Sequence, residues 1–512
     1  KNIFVQKAEC WFFALVVGAH IWPLLSVHFF PTLDGPAHVY NARILAEILF
    51  HSGSELESFY TLNLTAIPNL TGQLALAFLQ VFLPGWLAEK VLQAIIIVAI
   101  PVGFRFLLNN AGVKSIIPVY LIFPFTYSFF FFYGFYNFCL SLAVLFFAVG
   151  FIEYYFQKSP KIWAPALVVI LGLILYFSHL LTFAVFCVYA TAKTLHTYRK
   201  QGVSVSERRY AFLLFCLTVI PGLILGAIFL LQQAYSAGEL HYSTLGETAN
   251  MYKVITPAKG ILYGKEDKYT QWIFYCIVLM IILALIDWFR QNDSKRKIGN
   301  IFGFLFIGFF VLSFVTPNQG LLSGGILTSR IVLFALVFLL VSLAKFRIHP
   351  LVQVVVLIVA SYVNVACLLI YTDAVQKEQV IIDEISLSAA DMKKESVILP
   401  LTSTTFWIRE HYSNYMGYEK PLIILENYEA ELKYFPVNWT SHGLRVKRAA
   451  YADWEEFRLS GVLGRQPNNQ TTHILLLSDT ETPNDYQVSH PAIQVQRSDT
   501  ASGVALYKWM QN

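Results

Sequence analysis

Asp34, His38, Tyr40 and Arg43 sit together just beyond an apolar run from Trp11 to Phe30. That run is long enough to cross a bilayer, which takes about 20 residues. It ends at Pro31, and Asp34 follows at what would be the membrane edge. Gly35-Pro36 turns the chain, and Pro36 can open a helix as its first residue. On such a helix His38, Asn41 and Ala42 share a face, with Tyr40 and Arg43 beside it. A carboxylate held by a turn can serve as a general base toward a hydroxyl within hydrogen-bond reach. The neighbouring imidazole, phenol and guanidinium can bind hydroxyls or an anion. The competing role for Asp34 is purely structural, as the cap of the helix that follows.

Three more polar residues stand out in apolar surroundings. Asn137 enters a hydrophobic segment after Tyr133-Gly-Phe-Tyr, and His179 separates two apolar stretches. Arg330 falls about five residues inside another apolar segment, where a cation costs about 2.5–3.5 kcal/mol unless it is paired or wet. Each has a plain structural alternative: a hydrogen-bonded core residue for Asn137 and His179, and snorkelling to the interface for Arg330. Asp34, His38 and His179 are of the right types for a divalent ion. No ligand spacing marks such a site. No metal ligand is therefore assigned and no cofactor is required, a divalent cation being left open.

The 512 residues are 56% apolar and 13% charged, which makes the membrane the solvent for most of the chain. Charge is uneven. Of 37 Lys/Arg and 32 Asp/Glu, 13 and 18 follow residue 372, leaving 24 and 14 before it. This predicts a basic membrane body over 1–372 and a mildly acidic soluble domain over 373–512. The net charge of +5 belongs to loops flanking the spans and gives no sign of nucleic-acid binding. The six cysteines lie in or beside apolar segments and imply no disulfide framework.

Apolar stretches predict about eleven transmembrane helices: 11–30, 87–108, 115–133, 136–156, 162–178, 180–197, 209–231, 271–289, 300–316, 326–344 and 351–371. Residues 70–83 are apolar but too short to span, and read as an interfacial or re-entrant helix within a juxtamembrane region of about 36–83. The first span reads as a retained anchor. The positions of Lys and Arg then put the N-terminus in the cytoplasm and the C-terminal domain outside it. The long loop 232–270, with His241, Tyr252, Lys253, Lys259, Tyr263 and Lys265, falls on the outer side and has a length usually reserved for function.

In the tail, 396–400, 422–425 and 472–478 read as buried strands. Residues 405–412 and 453–459 read as short helices, and 487–496 with 503–509 as a closing hairpin. The pattern predicts a small α/β domain. Leu425-Glu-Asn-Tyr-Glu429 and Tyr434-Phe-Pro-Val-Asn-Trp439 are conspicuous but match no known motif.

Three function classes fit a membrane protein of this kind: an enzyme at the outer face, a transporter, and a scaffold with a binding tail. Transporters tend to place ionisable residues at the midplane on broken helices. Here the polar residues gather toward one end, which favours an enzyme acting on a lipid-borne substrate. The layout then resembles the GT-C superfamily of polytopic glycosyltransferases, such as protein O-mannosyltransferases and lipid A aminoarabinose transferases. The similarity lies in an outward Asp after the first span, juxtamembrane helices, and the stretch from Ile67 to Lys90 with its short apolar helix before the second span. The family often carries an acidic pair in this loop, whereas here Asp34 is followed by Gly-Pro-Ala-His.

The resemblance implies a GT-C-like fold and inverting transfer of a sugar from a polyprenyl-phosphate donor to a glycan, lipid or protein acceptor. It places the reaction at the extracytoplasmic face, most simply of a bacterial inner membrane. Asp34 would be the catalytic base. His38, Tyr40, Arg43, Asn137, His179 and Arg330 would bind substrate, Arg330 through the donor phosphate. The partners would be the lipid-linked donor, the acceptor and membrane lipids.

Overall fold

The computed structural model describes residues 3–50, 53–63, 65–157, 163–199, 202–233, 241–254, 266–290, 300–319, 326–390, 392–460, 473–478, 493–499 and 502–509. The chain divides into two compact units. The first gathers Lys1–Trp22, Ile95–Phe131 and Asn137–Tyr371, the second Pro23–Ala94, Phe132–Tyr136 and Thr372–Asn512.

The first unit is helical. Among the described residues, seven helices are long and apolar enough to cross a membrane, from Lys7–Leu25 to Pro350–Ser388. Four shorter apolar segments, Ile117–Phe132, Pro165–Ser178, Ile301–Val315 and Leu327–Leu343, accompany them. Many outward residues are large and apolar, among them Leu223, Ile224 and Leu231, Leu279 and Ile282, and Val354, Ile358, Val365 and Leu369. An exterior of this kind suits lipid rather than water, so the chain reads as membrane-embedded.

Polar pairs tie the helices from within. Arg105 makes a two-pronged bond to Glu9 (2.6 and 2.5 Å), and Tyr120 donates to the same carboxylate (2.8 Å). Glu153 takes Lys193 at 2.8 Å and the Tyr189 hydroxyl at 2.6 Å. Asn300 caps Ile301–Val315 through Phe302 N and reaches Ser342 on the neighbouring helix (2.8 Å). Such pairs satisfy charges that would otherwise be costly to bury.

Three expected spans differ from their forecast, the first being helical over Ile3–His20 and Trp22–Leu25 rather than 11–30. Residues 115–133 are not one α-helix. They form 3-10 turns at Ile117–Leu121 and Phe123–Phe125 and one α turn at Phe129–Phe132. Pro118 and Pro124 lack the N–H that a continuous α-helix would use, and each stands in the first turn of a 3-10 helix, where none is needed. The last helix does not stop at 371 but runs from Pro350 to Ser388 and so belongs to both units.

The second unit joins the tail to the segment after the first helix. Strand β1 (Tyr60–Leu62) pairs antiparallel with a strand of the tail, Tyr60 opposite Trp439. The tail also holds β2 (Val397–Ser403), β3 (Ile423–Ile424), β4 (Val437–Trp439, the partner of β1), β5 (His473–Ser478), β6 (Ile493–Asp499) and β7 (Val504–Trp509). Its five-stranded sheet has the order β3-β2-β5-β7-β6, with β3, β2 and β5 parallel and β7 antiparallel to both neighbours. The tail is therefore α/β in structure, but it is not gathered alone.

Residues 405–412, expected as a helix, fold into 3-10 turns at Trp407–Arg409 and Tyr412–Gly417. The helix forecast at 453–459 begins earlier, at Ser441, where Thr440 Oγ1 accepts from Gly443 N (3.1 Å). The short apolar helix is Thr71–Gln80, ten residues long, with Gly72, Gln73, Leu76, Ala77 and Gln80 buried.

Candidate functional site

The turn that carries Asp34 is built from two glycines and a borrowed pair of carbonyls. Leu33 N and Asp34 N donate to Phe132 O (2.9 Å) and Tyr133 O (3.1 Å). Gly134 has φ +76°, and a Cβ there would lie 2.5 Å from Gly35 N and 2.8 Å from Asp34 N. A Cβ on Gly35 would meet Thr32 Oγ1, Tyr136 Oη and Glu89 Oε1 within 2.5 Å. Only glycine fits at either position. The Asp34 carbonyl accepts the first helical bond from His38 N (2.9 Å), and helix Gly35–Phe50 follows. Its carboxylate turns elsewhere.

That carboxylate meets the tail. Tyr428 donates its hydroxyl to Asp34. His411 Nε2 stands 3.8 Å from Asp34 Oδ1, too far for a hydrogen bond but close enough for strong attraction. The other nitrogen, Nδ1, is 2.6 Å from Glu426 Oε1. Glu426 is held in turn by Asn414 Nδ2 (2.5 Å) and Ser413 Oγ (3.3 Å). The Tyr428 ring stacks on His411, centroids 4.2 Å apart and 20° from parallel. Tyr133, whose carbonyl fixes Asp34, stacks its ring on Trp407 at 4.8 Å. Asp34, Tyr133, Trp407, His411, Glu426 and Tyr428 are all partly exposed, so this cluster opens to the surroundings.

Electrostatics follow from these contacts. Burial pushes the Asp34 carboxyl up to about 6, against the pull of His411 and His38. Burial would lower His411, but Glu426 first and then Asp34 outweigh it and raise the imidazole to about 9. Burial, with Asp34 beside it, raises the Tyr428 phenol, which stays a donor. At neutral pH the Asp34 carboxylate thus faces the His411 imidazolium.

A second imidazole–carboxylate pair lies close by and is sealed. His38 Nδ1 is 2.5 Å from Glu429 Oε1, and the backbone of Gly134 bonds the same ring. Glu429 Oε2 also accepts from Gln73 (2.8 Å) and Asn41 (3.0 Å). Asn41 and Asn427 bond each other reciprocally (3.0 and 2.8 Å). Burial works against the His38 charge, but Glu429 outweighs it and raises the pKa. Beneath the turn, Tyr136 Oη contacts Glu89 (2.6 Å), Gln93 (2.7 Å) and Thr32 (2.8 Å), and Tyr418 donates to the other Glu89 oxygen (2.7 Å).

The residues singled out in the sequence divide between the units. Asp34, His38, Tyr40 and Arg43 belong to the second, and Asn137, His179 and Arg330 to the first, so Asp34 and Arg330, expected to line one pocket, fall in different units. Tyr40, expected to bind substrate, is fully buried, and its hydroxyl is engaged by Leu422 O (2.7 Å), Ile424 N (3.0 Å) and Tyr60 (3.1 Å). His38 is likewise committed to Glu429 and Gly134. Arg43 is half-buried. In the first unit Asn137 is buried. His179 closes helix Ala164–Ser178 and packs its ring on Phe138 (5.0 Å). The Arg330 guanidinium lies over Phe138 (5.4 Å) and Phe130 (6.0 Å). Among the described residues no three His, Cys, Asp or Glu side chains gather as metal ligands. Lys259, Tyr263 and Lys265 lie outside the described residues.

The sequence did not reveal His411, nor the use of Glu426-Asn427-Tyr428-Glu429. Each of these four consecutive residues holds one partner: His411, Asn41, Asp34 and His38 respectively. The conspicuous composition of that run was the available signal. No family model, curated protein or solved structure matches the chain.

Proposed function

We propose that the protein is a GT-C-like membrane glycosyltransferase that moves a sugar from a polyprenyl-phosphate donor to an acceptor hydroxyl, with Asp34 as general base. The observation that carries this reading is a carboxylate fixed by a glycine turn, partly open, flanked by aromatic rings and by one imidazolium. In the reaction the acceptor O–H gives its proton to Asp34 as its oxygen bonds the sugar C1. The bond from C1 to the phosphate oxygen breaks, the configuration inverts, and polyprenyl phosphate leaves. A carboxyl that titrates near 6 is mostly ionised at neutral pH and still basic enough to take a proton. The partly exposed rings of Tyr133, Trp407 and Tyr428 add apolar surface of the kind that suits sugar C–H groups.

The protein is taken as multi-pass, with the tail and Asp34 on the extracytoplasmic face of a bacterial inner membrane. The test is a purified full-length chain in proteoliposomes given a panel of polyprenyl-phosphate sugars and candidate acceptors. Release of free polyprenyl phosphate that requires an acceptor is the expected result. Solute flux without such release would instead make the protein a transporter.

A further inference from the structure

Of the groups around Asp34, one is neither saturated nor idle. His38 is spent on Glu429, and Tyr428 already donates to Asp34. His411 is different. One nitrogen is fixed by Glu426 at 2.6 Å, and the other points to Asp34 across 3.8 Å without closing a bond. Its ring plane is set by the stacked Tyr428. Glu426 is itself pinned by Asn414 and Ser413, so the line Glu426–His411–Asp34 is rigid at the end away from the proposed substrate.

We infer that His411 is the positioning residue for Asp34: clamped by Glu426 and Tyr428, it holds an imidazolium beside the carboxylate and keeps that carboxylate ionised for catalysis. The inference rests on the proposed general-base role of Asp34 and adds how the tail governs it. It also gives the Leu425–Glu429 run a purpose, since the same segment that locks His38 supplies the clamp on His411. The charged and titratable groups facing Asp34 are His411, His38, Glu429 and Tyr428, with Tyr133 close by. Those facing His411 are Glu426, Asp34 and Glu410. Loss of His411 removes the strongest charge attraction on Asp34 and leaves His38 and Tyr428 alone against burial and Glu429, which favour the protonated form.

Two measurements on the full-length chain in nanodiscs separate this inference from the base role itself. The first is NMR titration of histidine-labelled protein, with the His411 signal identified by its loss in His411→Gln. Its midpoint is expected near pH 9, lower in Glu426→Gln, and lower by a smaller amount in Asp34→Asn. A wild-type midpoint near the ordinary 6.5, or one unmoved in both variants, overturns the inference whether or not turnover is found. The second is the pH profile of sugar transfer. Wild type should lose activity below about pH 6. In His411→Gln that limb should move up by about 1–3 units, with activity lost at pH 7 and regained near pH 9. His411→Lys, which keeps a cation, should restore the limb toward its wild-type position. A uniform drop at every pH, or an unmoved limb, overturns the positioning role. Full turnover in Asp34→Asn would instead remove the base reading and leave the titration to decide the contact.

Discussion

Two imidazole–carboxylate pairs of the second unit, His38 with Glu429 and His411 with Asp34, use the same chemical groups and are built for opposite ends. His38 and Glu429 are 6% and 0% exposed and meet at 2.5 Å; Gln73 and Asn41 donate to Glu429 Oε2, and the Gly134 backbone bonds the His38 ring. His411 and Asp34 are 12% and 13% exposed and stop 3.8 Å apart. The first pair is a rivet: it satisfies two buried charges and joins the helix after the first span to the tail. The second is left short of a bond, so an incoming hydroxyl has something to gain by binding there. Residue type alone does not separate structure from chemistry; burial and the distance at which the pair meets do.

Breaking each pair should therefore do different damage. The largest effect is expected from removing the rivet: Glu429→Ala takes the shared carboxylate from the buried His38, Gln73 and Asn41 and should cost about 3–5 kcal/mol of stability. Thermal unfolding in nanodiscs would read this as a large fall in Tm. Removing a buried hydroxyl next to the turn should do less. Tyr136→Phe strands Glu89, Gln93 and Thr32, with a loss of about 1–3 kcal/mol in the same assay.

The smallest change comes from pH alone. His38, His411 and Asp34 all have folded pKa values above their ordinary ones. A raised pKa means protons bind the folded state more tightly, so the stability these groups add is complete below their unfolded pKa values. It is lost as pH rises through the folded ones, up to about 9 for His411. Tm should thus decline from mildly acid to alkaline pH, and the slope should flatten in a chain carrying His38→Gln and His411→Gln. A wild-type Tm that rises over this window would break the account of both pairs.

Much of the architecture was legible in the sequence because apolar length is a local signal. The long helices, the short helix at 71–80 and the strands at 397–403 and 473–478 all announce themselves as continuous apolar runs. Residues 115–133 misled for the converse reason: the composition is apolar throughout, while Pro118 and Pro124 decide the backbone. The Asp34 turn could be read from Pro31 and Gly35-Pro36. Its surroundings could not, because the partners lie far along the chain. Asn41 and Glu429 are 388 residues apart, and Tyr40 meets Leu422 across 382. Helical periodicity placed His38 and Tyr40 near Asp34, but it carried no information about the tail groups that occupy them.

The central claim is that the open carboxylate does chemistry which the sealed pair does not. The most direct measurement is the rate of sugar transfer from a polyprenyl-phosphate donor by Asp34→Asn beside wild type, with Tm recorded on the same samples. We expect the rate to fall by about 10²–10⁴-fold while Tm stays within a few degrees. An undiminished rate in the variant would contradict the account.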